Sequence, residues 1–391
     1  MKKMFIRVFL FLCGVGFVVT ANSALAQAVD PASHLPSWTD NRSRDKIVDF
    51  IFAVTNEDGS QFVLPEERIA VFDLDGTLIP EYPLPYMIAY SFQRFQASPP
   101  PTRELNDTTH TYLVEGELET AMALNAKRSL ELLLSTYAGD TPAKLRDDVR
   151  DWLQTPYPDP RMNGYSWGDM VYLPMQELIA LLRANGFKIY LVTGSEQEFA
   201  RVIGAELLGI RPEYVIGSEL RQKFEEKSGQ ITISREARIT DFNLGPSKAL
   251  NIQKQIGRAP LIAVGNSDGD LEMLKLTTQA QNGRLGIFIH HTDAGREFAY
   301  DREARTGKLR KGLDQAKANN WLVVNMEKDW EEVFKPPVLL EPATAPLPET
   351  DNEAEQPEQT GQSSHIQADD GISQPLPMEA GEPAQTTETV E

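Results

Sequence analysis

The stretch Val71-Phe-Asp-Leu-Asp-Gly-Thr-Leu78 decides how this chain is read. The run leading into it, Arg68-Ile-Ala-Val-Phe72, is short, apolar and β-branched, the pattern of a parallel strand buried on both faces. Two carboxylates follow at once, Asp73 and Asp75, and their i, i+2 spacing puts both on one face of an extended backbone. Gly76 permits a tight turn, and Thr77 sets a hydroxyl beside the acids. An acid at a strand end can simply cap the next helix, and Asp-Gly often marks a turn. Three later segments decide between capping and chemistry.

Phe187-Lys-Ile-Tyr-Leu-Val-Thr-Gly-Ser195 is a second apolar strand, preceded by the helical pattern Met175 to Gly186 and ending in Thr193. Gly245-Pro-Ser-Lys-Ala-Leu250 suits a helix start, with Lys248 in the first turn. Leu261-Ile-Ala-Val-Gly-Asn-Ser-Asp-Gly-Asp270 is a strand running into a polar turn. Strands near 68–72, 188–192, 213–216, 260–264 and 285–289 alternate with helical stretches, which predicts an α/β fold with a doubly wound parallel sheet. Ligands of such sheets bind beyond the carboxyl ends of the strands. The first, second and fourth strands end in Asp73, Thr193 and Gly265-Asn266, so the polar groups collect where that rule puts a site. A helix at 44–56 is expected to pack on the core through Ile47, Ile51 and Val54. Phe224 to Ile233, with Ser228-Gly229 in its middle, reads as a small hairpin.

In this order the four segments resemble the haloacid dehalogenase-like (HAD) hydrolase superfamily, whose first motif reads hhhhDxDGT. Ser37-Trp38, Tyr172-Leu-Pro-Met-Gln-Glu-Leu178, His290-His-Thr-Asp293, Arg296-Glu-Phe-Ala-Tyr-Asp301 and Asn320-Trp-Leu-Val-Val-Asn325 narrow the likeness to exported bacterial HAD phosphatases, over roughly residues 35–335. The resemblance implies a Rossmann-like core, residues 27–83 and 171–335, interrupted by a helical cap at 84–170. Asp73 and Thr193 are 120 residues apart, far more than one crossover needs. Helical patterns at 86–96, 115–137 and 142–153 suit such an insertion.

The resemblance also implies roles. Asp73 would attack phosphorus and form an aspartyl-phosphate, splitting a slow hydrolysis into two easier steps. Asp75 would protonate the departing oxygen and then take a proton from the attacking water. Thr77, Thr193, Gly194 and Lys248 would bind the phosphoryl group. The expected cofactor is Mg²⁺, held by a carboxylate oxygen of Asp73, the backbone carbonyl of Asp75 and the amide of Asn266 or its water, with Asp270 behind them. Asp268 and Asp270 are the other candidates for direct or water-mediated contact. Asn266 stands where many relatives carry Asp, and Thr193-Gly-Ser195 where similar proteins often read Ser-Gly-Gly. The second acid, Asp75, argues against the dehalogenases of the superfamily, which usually lack it and need no metal. The function expected is hydrolysis of a small phosphomonoester. Phosphoryl transfer to an alcohol and a non-catalytic binding role are the alternatives.

The two ends of the chain read differently from its body. Lys2, Lys3 and Arg7 precede the apolar run Val8 to Val19, and Ala24-Leu-Ala26 supplies an A-x-A site. Residues 1–26 therefore read as a signal peptide and the mature protein as periplasmic or secreted. Twelve apolar residues are too few to span a bilayer. The single cysteine, Cys13, lies in that run, so the mature chain is expected to have no thiol, no disulfide and no cysteine nucleophile. Residues 336–391 hold twelve acids, no Lys or Arg and no apolar periodicity, and read as a disordered Pro- and Glu-rich tail of unknown protein partner. Loss of the leader moves the net charge from −19 to −22, of which the tail carries −12 and the body −10. Such a body has no basic stripe for nucleic acid or anionic lipid.

Other residues invite weaker readings. Tyr82, Tyr86 and Tyr90 recur at helical spacing, as a cage for a quaternary ammonium or, by preference, as the buried face of a cap helix. Arg94, Arg103 and Arg161 are candidates for a substrate carboxylate, with solvated arginines the plainer expectation. His290 and His291 point to opposite sides of an extended backbone, which disfavours chelation of one ion; one of them can face the rim of the site. Trp152, Trp167, Trp321 and Trp330 are read as packing residues.

Overall fold

The structure is a computed structural model that describes residues 35–102, 106–280 and 283–337. The leader read at 1–26, Arg103 and the acidic tail from 338 onward lie outside the described residues. Seven strands are present among the rest: β1 (Ile69–Phe72), β2 (Lys188–Glu196), β3 (Val215–Lys227), β4 (Gln230–Asp241), β5 (Ile262–Gly265), β6 (Leu285–His290) and β7 (Leu322–Asn325). They form one sheet in the order β4-β3-β2-β1-β5-β6-β7. Every pairing is parallel except that of β3 with β4. The doubly wound α/β architecture expected from the sequence is thus the one observed. From β1 the chain builds outward through β2 and β3, then returns to build the other side through β5, β6 and β7. The winding reverses between β1 and β5, which opens a crevice at their carboxyl ends.

The helices are α1 (Arg42–Thr55), α2 (Tyr86–Ala97), α3 (Thr108–Val114), α4 (Leu118–Leu134), α5 (Pro142–Leu153), α6 (Leu173–Ala184), α7 (Gln197–Leu208), α8 (Pro246–Ile256), α9 (Leu271–Gln279), α10 (Lys311–Ala316) and α11 (Met326–Asp329). Alternation along β1 divides its side chains between two cores. Ala70 and Phe72 join Ile47, Ile51 and Val54 of α1 and Met175, Leu178 and Leu182 of α6. Ile69 and Val71 join Ile252 of α8 and Met273 and Leu274 of α9. Both faces being covered, every residue of β1 is buried, which explains the unbroken apolar run in its sequence.

Between β1 and α6 lie α2 to α5. The first three close a small core of their own around Phe95, Leu113, Leu118 and Leu133. The single helix expected at 115–137 starts only at Leu118 and breaks at Asn125 (φ −155°, ψ 87°). The Asn125 side chain accepts a hydrogen bond from the Arg128 amide at 3.0 Å and so caps a fresh helical start. The hairpin is longer than its sequence suggested, because the strand expected at 213–216 runs on to Lys227. It turns at Ser228-Gly229, both with left-handed φ (52° and 76°), as a two-residue hairpin turn requires. No helix among the described residues is long and apolar enough to cross a membrane.

Candidate active site

Past the end of β1, the Asp73 amide still donates to the Val264 carbonyl of β5 at 2.9 Å, so the acid leaves the sheet in register at the crevice. Lys248 reaches it from the first turn of α8, which Gly245 (φ 55°) and Pro246 open. Its Nζ lies 2.7 Å from Asp73 Oδ1 and 2.7 Å from Asp270 Oδ1. All three side chains are buried. The other oxygen of Asp270 accepts from the amides of Asn266 (3.1 Å) and Ser267 (3.0 Å) and from the Ser267 hydroxyl, and so shapes the turn after β5. Gly265 is required there, since a Cβ would fall 2.4 Å from Asp270 Cγ.

Asp75 is held from two directions. Its Oδ2 accepts from the Ser195 hydroxyl at 2.9 Å, and its Oδ1 from the Tyr86 amide, the first of α2, at 3.2 Å. That amide brings the positive end of a helix to the acid. Thr193 lines the same crevice, its Oγ1 accepting from the Ser195 amide at 3.1 Å. Asn243 ties the neighbouring strand ends together, donating to the carbonyls of Thr193 and Ile216 at 3.0 Å each. Gly194 passes close beneath Leu244: a Cβ on it would meet Leu244 Cδ2 at 2.8 Å.

Two expected residues make hydrogen bonds of their own within the fold. Thr77, read as a phosphoryl contact, is fully buried and donates its hydroxyl to Asn266 Oδ1 at 3.2 Å. Asp268 accepts from the Gly312 amide at 2.9 Å at the start of α10, and it lines the cleft that holds the paired acids. Asn266 spends its other amide atom on Glu81, Nδ2 donating to Oε1 at 2.6 Å. Glu81, Ser195 and Asn243 were not singled out by sequence. Ser195 stands in the quoted Thr-Gly-Ser segment and Asn243 just before Gly245-Pro, but a hydroxyl or an amide in such a loop carries no pattern of its own.

Asp73, Asp75, Glu81, Thr193, Gly194 and Ser195 open onto one cleft of about 720 Å³. Burial pushes Asp73 up to about 7; the Asp270 carboxylate adds to the rise and Lys248 opposes it. Burial likewise raises Asp75, against the hydrogen bonds from Ser195 and Tyr86, and lifts Glu81 well above the usual carboxylate range. Burial pulls Lys248 down, but the Asp270 and Asp73 carboxylates outweigh it and keep the ammonium charged. One lysine is therefore set against several crowded acids. The donor atoms on offer are oxygens, the set a hard divalent cation selects. No three His, Cys, Asp or Glu side chains converge as a ready-made cage among the described residues. A set of one carboxylate, one backbone carbonyl and one amide would make no such cage, and its donors are the oxygens that an ion such as Mg²⁺ takes.

The remaining candidates are structural. Tyr86 donates to the Trp167 carbonyl at 2.8 Å, and the Tyr90 ring packs on Trp152 and Phe199; only Tyr82 lines the cleft, so the three tyrosines form no cage. Arg94 binds Asp148 and Asp140, and Arg161 binds Asp159 and the carbonyls of Ala294 and Glu297. The two histidines part: His290 approaches Asp301 at 3.4 Å, while His291 reaches back to the Gly76 carbonyl. The four tryptophans are buried in the cores.

No curated protein is significantly similar to this chain. Solved structures show distant likeness. A protein of unknown function from Bordetella pertussis Tohama I is 17% identical over 66% of this chain and 99% of its own, with a TM-score of 0.42. A functionally unknown protein from Anaerococcus prevotii DSM 20548 is 15% identical over 74% and 94%, with a TM-score of 0.46. A probable phosphoserine phosphatase from Vibrio cholerae is 18% identical over 65% of each chain, with a TM-score of 0.33. The sequence profile of the haloacid dehalogenase-like hydrolases matches residues 70–275, the span from β1 to α9 that carries Asp73, Asp75, Thr193, Lys248 and Asn266, and the chain belongs to that family.

Proposed function

We propose that this protein hydrolyses a small phosphomonoester by attack of Asp73 on phosphorus. The observation that carries the reading is the shared lysine. Lys248 holds Asp73 Oδ1, while no hydrogen bond engages Oδ2 among the described residues, which leaves that oxygen available to the cleft. Attack by Oδ2 forms the aspartyl-phosphate and releases an alkoxide. Asp75, whose hold on a proton burial strengthens, gives a proton to the leaving oxygen. Water then opens the acyl phosphate, with Asp75 now accepting the proton. Ser195 and the Tyr86 amide hold the Asp75 carboxyl in one orientation through both steps. Thr193 and Lys248 supply donors for the phosphoryl oxygens. Mg²⁺, bound by Asp73, the Asp75 carbonyl and Asn266, would offset the crowded negative charge and polarise the phosphoryl group. A cleft of about 720 Å³ suits a small-molecule ester.

The test is p-nitrophenyl phosphate hydrolysis by the purified protein with Mg²⁺, with EDTA and as Asp73→Asn. Activity with Mg²⁺ that disappears in the other two samples is expected. Equal inertness of all three overturns the reading. The leader at 1–26 supports export, and the mass of the protein recovered from a periplasmic fraction tests cleavage after Ala26.

A further inference from the structure

We propose that Glu81 belongs to the cation site and supplies the negative charge that Asn266 does not carry. The inference rests on the metal-dependent reading above and adds a residue to it. At the turn after β5 the chain has an amide instead of a carboxylate, and that amide is not left facing neutral surroundings. Asn266 Nδ2 donates to Glu81 Oε1 at 2.6 Å, across a sequence separation of 185 residues. Glu81 is only 5% exposed, yet it lines the same cleft as Asp73 and Asp75. Lys248, the ammonium of the site, is already shared by Asp73 and Asp270.

The carboxyl sits in a cradle of bare backbone. A Cβ on Gly76 (φ 74°) would lie 2.5 Å from Glu81 Oε1, and a Cβ on Gly307 (φ 66°) would lie 1.9 Å from the same atom. Two glycines from distant parts of the chain therefore leave room for one acid. No Lys, Arg or His pairs with this carboxyl among the described residues, and a buried carboxyl so placed either keeps its proton or carries its charge against a bound cation. Moving the carboxylate from position 266 to position 81 keeps the charge beside the same amide, so the site retains its attraction for a divalent ion.

The rival account is that Glu81 merely orients the amide through the hydrogen bond. A charge exchange separates the two, because glutamine keeps an acceptor for Nδ2 and loses only the charge. Mg²⁺ affinity is measured by calorimetry, without substrate, on the full chain as wild type, Glu81→Gln, Asn266→Asp and the double variant. Glu81→Gln is expected to weaken Mg²⁺ roughly tenfold or more, and Asn266→Asp to restore it within about threefold in the double variant. Wild-type affinity in Glu81→Gln overturns the proposal, and so does a double variant as weak as the single. Should Glu81→Gln not fold, Asn266→Asp carries the test alone. Two carboxylates in contact should bind Mg²⁺ more tightly and lower the metal-free melting temperature, and no change in either overturns the proposal. A wild type that binds no Mg²⁺ at all overturns the metal-dependent reading itself, and this proposal with it.

Discussion

The Nε2–H of His291 donates to the carbonyl oxygen of Gly76 across 2.7 Å. Gly76 is the turn that follows the paired acids, and His291 comes from just beyond β6, 215 residues later. The other ring nitrogen lies 3.1 Å from Glu297 Oε2, an oxygen that also accepts from the Phe298 amide at 2.7 Å. Glu297 Oε1 accepts from the Tyr172 hydroxyl at 3.0 Å. The ring is stacked on Tyr300, with centroids 4.2 Å apart. The backbone that presents Asp73 and Asp75 is thus pinned from behind by a buried polar chain that does not line the cleft.

His291→Ala leaves the Gly76 carbonyl short of its donor in a dry environment. An unsatisfied group of this kind costs about 1–3 kcal/mol, so urea unfolding should show a loss of that order. Because the ring acts on the acids through the turn and not on the substrate, kcat should fall while KM changes little. Unaltered stability and kcat would show the hydrogen bond to be idle.

Gly307→Ala should be far more damaging than Gly116→Ala. Both glycines have positive φ, 66° and 84°, so the backbone strain is comparable. A Cβ at 116 meets nothing within 4 Å, whereas one at 307 meets Glu81 Oε1 at 1.9 Å and Tyr300 Cε2 at 2.5 Å. Thermal unfolding should give about 1 kcal/mol for Gly116→Ala and at least 2–3 kcal/mol more for Gly307→Ala, of the order of overpacking a core. Equal costs would mean that the space around Glu81 yields freely.

Ser195→Ala removes the donor to Asp75 Oδ2 and frees the carboxyl to turn. The effect should depend on the leaving group. An alkyl phosphate needs its departing oxygen protonated, so kcat should fall roughly tenfold or more. For p-nitrophenyl phosphate, whose phenolate departs without a proton, the loss should be within about threefold. The ratio of the two kcat changes is the measurement, and equal losses would take Asp75 out of proton transfer.

What could be read from sequence was what the backbone encodes locally. Residues 69–72 are buried on both faces, so their apolar run announced a central strand, and the acids followed from being next in the chain. Lys248 was readable because Gly245-Pro246 marks a helix start, and the first turn of that helix opens on the crevice. Partnerships across the fold were not readable. Glu81 with Asn266, Ser195 with Asp75 and His291 with Gly76 each join residues 120 to 215 positions apart. The tip of the hairpin was legible at 224–233, but the inner lengths of its strands, 217–223 and 234–241, were not, and neither was β7. Residues 221–223 are exposed and 234–241 mostly exposed or half-buried on strands held by pairing, so no continuous core imposes a burial pattern there, and β7 is four residues long.

Arg94 ties α2 to α5 and to the chain just after α4. One of its nitrogens pairs with Asp148 Oδ2 at 2.6 Å and with the Tyr90 hydroxyl at 3.0 Å. The other donates to the Thr136 carbonyl at 2.8 Å and to Asp140 Oδ2 at 3.2 Å. The guanidinium is over a quarter exposed, so solvent screens the ion pairs and the fork of hydrogen bonds carries most of the effect. Arg94→Met should cost about 1–3 kcal/mol in thermal unfolding and leave KM for acidic and neutral esters in the same ratio. A selective loss for acidic esters would return Arg94 to substrate binding.

The metal-free protein should lose stability as pH rises from 5 to 8. Asp73 is pushed up to about 7 in the fold, while in the unfolded chain it titrates near 4. Between those values the folded state holds the proton and the unfolded state does not, so raising pH favours unfolding. Above the folded pKa both states are ionised and the loss is complete. Asp75 and Glu81, raised by burial too, act in the same direction. Each unit of raised pKa is worth about 1.4 kcal/mol, so urea unfolding in EDTA should show a fall of roughly 2–4 kcal/mol across this window. The difference between wild type and Asp73→Asn isolates the share of that acid and should grow with pH. Adding Mg²⁺ should recover stability at pH 8 and hardly matter at pH 5, because protonated carboxyls are poor ligands. A flat or rising profile in EDTA would mean that these acids already find their counter-charges within the fold.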